Sequence, residues 1–117
     1  MLKLLLVDDD NNFLSILKGH LAKKGFDVVT ACGVNDAIGK LTKQKFDVIC
    51  SDYNLNDGNG IEIFDYIKLK KIDIKKALLS GTENTLLEKQ VLYYGGVFLH
   101  KGSDDFTEYF DKLTAIF

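Results

Sequence analysis

The 117-residue chain contains no proline, no arginine and no tryptophan. Without proline there is no position at which a cis peptide bond comes cheaply, because a non-proline cis bond costs about 2.5–4 kcal/mol. Without arginine, all fifteen basic residues are lysines, which reflects composition rather than function. Only two cysteines occur, Cys32 and Cys50, at a spacing that fits no metal motif. Both read as reduced core residues of a cytosolic protein. No apolar run is long enough for a signal peptide or a membrane span. Repeats, low-complexity stretches and linkers are also missing. Seventeen acids against fifteen lysines leave a net charge of −2, which argues against a nucleic-acid groove. What is left fits one domain with one core.

What is present alternates. Short apolar runs at Lys3–Val7, Asp27–Ala31, Asp47–Ser51, Lys76–Ser80 and Val97–His100 read as strands buried on both faces. Between them lie apolar stripes at helical spacing: Phe13, Leu14, Leu17 and Leu21; then Ala37, Ile38 and Leu41; then Ile61, Phe64 and Ile67; then Leu87, Val91 and Tyr94. A fifth stripe, Phe106 to Phe117, is the most regular. Five β-α alternations with right-handed crossovers predict an open, five-stranded parallel sheet with helices on both faces. Ligands in such sheets bind beyond the carboxyl ends of the strands.

Those ends carry the chemistry. "LLLVDDDNN" places Asp8, Asp9 and Asp10 directly behind the first strand, and "VICSDYNLNDGNG" places Asp52 just past the third. "ALLSGTEN" brings the hydroxyl of Ser80, and "VFLHKGSDD" the ammonium of Lys101. Close carboxylates suit a hard divalent ion such as Mg²⁺. A carboxylate held beside that ion, an ammonium and a hydroxyl is placed to accept a phosphoryl group. Asp10, next to the first helix, reads as its N-cap.

Taken together, these motifs resemble the receiver domain of two-component response regulators, over nearly the whole chain. The resemblance implies a flavodoxin-like sheet of strand order 2-1-3-4-5, with Asp52 as phosphoacceptor. It implies Mg²⁺ held by Asp8, Asp9, Asp52 and the backbone carbonyl of Asn54. Ser80 then serves as switch hydroxyl, Phe98 as switch aromatic and Lys101 as the phosphoryl contact, while Asn54 and Thr82 control water access. The implied partners are a sensor histidine kinase or phosphotransfer protein, and a target protein on the face of the fourth helix, fifth strand and fifth helix. No nucleic-acid or membrane partner is expected. Residues 1–117 read as a stand-alone cytoplasmic receiver without an output domain, as a monomer or a phosphorylation-dependent dimer. The resemblance implies a signalling protein rather than an enzyme, with self-phosphorylation from phosphodonors and autodephosphorylation.

The pattern departs from the family at Asn56 and Gly102, where proline is usual, and in a Gly95–Phe98 segment one residue short. Two other readings compete. A haloacid-dehalogenase-like phosphatase would use Asp8 as nucleophile in an Asp-x-Asp pair with Asp10. Against it stand Asn12, the short chain, and Asp104 and Asp105, which read as helix-start acids. A degenerate receiver would keep the surface as a protein-binding module and leave the phosphoryl chemistry unused. His20 reads as solvated, His100 as a half-exposed strand residue, and the Lys68–Lys76 cluster as a soluble rim.

Overall fold

The structure, a computed structural model, describes residues 2–81, 84–100 and 115. In chain order the elements are β1 (Lys3–Val7), α1 (Asn11–Lys23), β2 (Asp27–Ala31), α2 (Val34–Lys43), β3 (Val48–Asp52), β4 (Asn54–Leu55), β5 (Gly58–Asn59), α3 (Gly60–Leu69), β6 (Lys75–Ser80), α4 (Thr85–Tyr93) and β7 (Val97–His100). Five strands pair in parallel in the order β2-β1-β3-β6-β7. This is the expected 2-1-3-4-5 order once the two-residue strands β4 and β5 are set aside. The stripe expected as a fifth helix falls outside the described residues, as does the Lys101–Gly102 bond.

Period-two alternation sorts the strand residues onto two faces. Leu5, Val7, Ile49 and Leu78 face one way and pack with Val34, Ala37, Ile63, Phe64, Leu87 and Val91 from α2, α3 and α4. Leu4, Leu6, Cys50, Ala77 and Leu79 face the other way and pack with Leu14, Leu17 and Leu21 from α1. Burying one such side chain is worth roughly 1.5–3 kcal/mol, so the two layers fix which face each helix covers.

Chain ends of the helices are closed by specific residues. After α1, the amide of Phe26 donates to the carbonyl of Leu21 and that of Gly25 to Ala22, with Gly25 at φ +96. The same paired closure recurs after α4, through Gly95 and Gly96. This is the glycine-dependent helix stop. After α3 it is made by Lys71 at φ +55, the one non-glycine residue at positive φ among the described residues.

Two sequence expectations need correction. The third strand ends on Asp52 rather than before it, because the β3–β6 ladder runs on to an Asp52–Leu79 pair. Cys32 is exposed, unlike the buried Cys50. It lies past the end of β2, in a turn where its amide donates to Asp36 Oδ2 at 3.0 Å. Among the described residues, no helix is long and apolar enough to cross a membrane.

Candidate functional site

β1 and β3 are direct neighbours, with Val7 opposite Ser51. The next residues along, Asp8 and Asp52, therefore leave the sheet side by side at its carboxyl edge. One oxygen each of Asp8, Asp9 and Asp52 lies within 4.8 Å of the others. Asp8 is 1% and Asp52 7% exposed, so water screens the cluster poorly. Asp9 is half-buried. Anionic groups this close, in so little solvent, are an arrangement that a cation stabilises.

Hydrogen bonds divide the acidic triplet. Asp8 is held by its amide, which donates to the carbonyl of Ala31 at 3.1 Å. Its Oδ1 accepts the amide of Asp10 at 3.0 Å. Asp10 is exposed and serves the helix: its Oδ1 accepts the amides of Asn12 and Phe13 at 3.0 and 3.2 Å. It is thus the N-cap of α1. Asp8 and Asp10 consequently do not form the paired carboxylates of an Asp-x-Asp site.

Asp52 is positioned from three sides. The amide of Tyr53 donates to Leu79 at 2.7 Å, extending the ladder beyond the strand. The buried hydroxyl of Ser51 donates to the carbonyl of Asp52 at 2.9 Å. Gly60, the first residue of α3, approaches so closely that a Cβ there would lie 2.7 Å from the Asp52 carbonyl oxygen and 2.5 Å from Leu78 Cδ1. Only glycine lets α3 start against the end of β3.

Ser80 ends β6, one residue beyond the partner of Asp52, and is 2% exposed. It therefore reaches the same edge. Phe98 lies opposite Leu78 in β7 and packs, half-buried, against the layer under α2, α3 and α4. Asn54 is exposed at the start of β4. Thr82 and Lys101 lie outside the described residues. Of the expected site, Asp8, Asp9, Asp52 and Ser80 are thus brought to one edge, with Phe98 one strand away.

The donor set suits Mg²⁺: all-oxygen ligands, two of them buried carboxylates. Asp8, Asp9 and Asp52 would hold such an ion, which would supply positive charge at this edge.

A further acid, Asp57, stands nearby that the sequence motifs do not single out. This residue follows Asn56 in the turn of the antiparallel ribbon β4–β5, whose pairs are Asn54–Asn59 and Leu55–Gly58. Its carboxylate accepts the amides of Val34 (2.7 Å) and Asn35 (3.0 Å) at the start of α2. The bonds from Asn35 and Val34 hold the Asp57 carboxyl below the usual 3.8. A signal did exist: α2 begins after Gly33, which has no side chain to cap it, so the acceptor had to come from elsewhere.

The chain matches the family model described as response regulator receiver domain over residues 4–106. It is 33% identical to the alkaline phosphatase synthesis transcriptional regulatory protein PhoP of Bacillus subtilis, over 69% of this chain and 34% of that protein. The chain thus spans about a third of that curated relative. Among solved structures it is similar to the response regulator TrrA of Thermotoga maritima in complex with Mg²⁺-BeF, at TM-score 0.87 and 26% identity, with 100% of each chain covered. The chemotaxis response regulator CheY4 of Vibrio cholerae shares the fold at TM-score 0.91 and 23% identity, with 100% of this chain and 99% of that one covered. The strand order, the acidic edge and the match over residues 4–106 agree: the chain belongs to the family of response regulator receiver domains.

Proposed function

We propose that Asp52 is the phosphoacceptor of this receiver, with Mg²⁺ bound by Asp8, Asp9, Asp52 and the backbone carbonyl of Asn54. The observation that carries this reading is the convergence of the Asp8, Asp9 and Asp52 oxygens within 4.8 Å at the sheet edge. Among them Asp52 is the one on the strand that pairs with β6, which ends on Ser80. When bound, the ion neutralises charge on the transferring phosphoryl oxygens. Asp52 supplies the attacking carboxylate oxygen. The Ser80 hydroxyl donates to a phosphoryl oxygen once transfer is complete, and the Lys101 ammonium pairs with another. The donor is a phosphohistidine of a histidine kinase or a phosphotransfer protein, whose P–N bond breaks as the Asp52 oxygen–phosphorus bond forms, with the histidine imidazole as leaving group.

The same groups that favour transfer to Asp52 favour transfer from it to water, so the acyl phosphate is lost in the same site. Asn54 and Thr82, both small and polar, set how easily water enters. Pulling the Ser80 hydroxyl toward the phosphoryl group vacates space, and the Phe98 ring turns into it. Phosphorylation adds nearly two negative charges, and Ser80 and Phe98 carry that change to the surface of α4 and β7. A target protein docks there.

Incubation with acetyl phosphate tests the proposal. A hydroxylamine-sensitive phosphoryl adduct should form with Mg²⁺ and fail to form in EDTA. An adduct indifferent to the metal would remove the mechanism, and no adduct would leave the degenerate protein-binding module.

A further inference from the structure

Asp57 lies 23 residues from Val34 in sequence, yet its Oδ1 receives the Val34 amide and its Oδ2 the Asn35 amide, so one carboxylate joins the β4–β5 turn to the start of α2. The start of α2 is shaped for it. A Cβ on Gly33 would come within 2.6 Å of Asp57 Oδ1, so the missing side chain is the space that the carboxylate fills. Gly33 itself is extended, at φ −175, so close approach and not backbone strain is what calls for glycine there.

The segment that Asp57 anchors is the one that leaves Asp52. Its base is fixed to α3 by reciprocal bonds: the Glu62 amide to Asn59 Oδ1 at 3.1 Å, and the Asn59 amide to Glu62 Oε2 at 3.2 Å. The Gly60 amide donates to the Tyr53 carbonyl at 2.9 Å. Leu55 is buried. The tip, Asn56 and Asp57, is exposed, and there the two bonds to α2 supply the anchor. With no proline in the chain, nothing covalent stiffens this turn. Asp57 also shares a shallow groove with Asp9 and Asp36, which places the bridge beside the acidic cluster.

We infer that Asp57 is a positioning residue for the phosphoryl site: by bridging the β4–β5 tip to the first two amides of α2, it holds the Asn54 backbone where it can serve the cation. This rests on the assignment of Asn54 to the ion and extends it to a residue outside the cluster. It also ties the β2–α2 turn mechanically to the phosphoacceptor loop.

Two variants break the bridge from opposite sides. Asp57→Ala removes the acceptor, and Gly33→Ala pushes it away. Asp36→Ala is the control, because it loosens the same turn through the Cys32 amide while its carboxylate pairs with Cys32 and Lys40 and not with the ribbon. In metal-free protein, amide exchange should accelerate at Asn54, Gly58 and Asn59 in both bridge variants and stay at the wild-type rate in Asp36→Ala. Mg²⁺ titration followed by backbone amide shifts should then show dissociation constants raised about tenfold in the two bridge variants alone, the scale of a lost outer-shell partner. Unchanged ribbon exchange in Asp57→Ala, or equal effects in all three variants, would overturn the inference. A wild-type protein without any Mg²⁺ response would instead refute the cation assignment, with the exchange data still deciding the bridge.

Discussion

Asp8 Oδ1 accepts the backbone amide of Asp10 at 3.0 Å, while the Asp10 carboxylate turns away to the amides of Asn12 and Phe13. Two residues apart, the same side chain does two jobs. One joins the acidic cluster and the other starts a helix. The substitutions should separate accordingly. Asp10→Ala should cost about 1 kcal/mol of stability, the usual value of a lost N-cap, and leave Mg²⁺ affinity intact. Asp8→Asn should weaken Mg²⁺ binding and slow phosphorylation. Urea unfolding and a Mg²⁺ titration on both variants check this, and a cation defect in Asp10→Ala would contradict the division.

Acid should loosen the turn that the bridge closes. Bonds from Asn35 and Val34 lower the carboxyl of Asp57, with neighbouring Asp36 opposing. The bond from the Cys32 amide lowers that of Asp36, with Lys40 adding to it. Folded values below 3.8 mean that these carboxylates stabilise the fold above 3.8, and that the contribution is lost as pH falls through the folded values. The gap in urea midpoint between wild type and Asp57→Asn should therefore be present at pH 7 and shrink below pH 3.8. A gap of equal size at both ends of the range would exclude the charge as its source.

Gly60 is a structural requirement of the strand that ends on Asp52. Adding a methyl group there drives it against the Asp52 carbonyl and Leu78. Gly60→Ala should destabilise by about 1–3 kcal/mol, the usual cost of overpacking. It should also lower the phosphorylation rate, since the displaced carbonyl belongs to the proposed acceptor, Asp52. Thermal unfolding and phosphorylation time courses check both, and wild-type behaviour in each would mean that α3 shifts freely against β3.

Much of this was legible in the chain, for reasons that differ by element. The strands stood out because both faces are buried, which leaves short apolar runs that end in charge, as at Val7–Asp8. The end of β3 was missed by one residue, because the Asp52–Leu79 pair depends on a neighbour 27 positions away. Cys32 reads as a core residue from its type alone, yet the turn into α2 exposes it. The β4–β5 ribbon has two residues per strand, too few for any periodicity. Asp8, Asp9, Asp52 and Ser80 could be found because topology brings parallel strand ends to one edge. Asp57 could not be found that way, since it acts across the fold on a helix start that carries no signal of its own beyond a glycine.

The central claim is that the phosphoryl group goes to Asp52, and peptide mapping of the adduct tests it most directly. After reaction with acetyl phosphate and Mg²⁺ and trapping of the acyl phosphate by borohydride reduction, the modified peptide should be the one spanning Asp52. It should be missing from Asp52→Asn and still form, slowly, in Asp8→Asn. Modification mapped to Asp8 and retained in Asp52→Asn would contradict the account and make this acidic edge a phosphatase-like site.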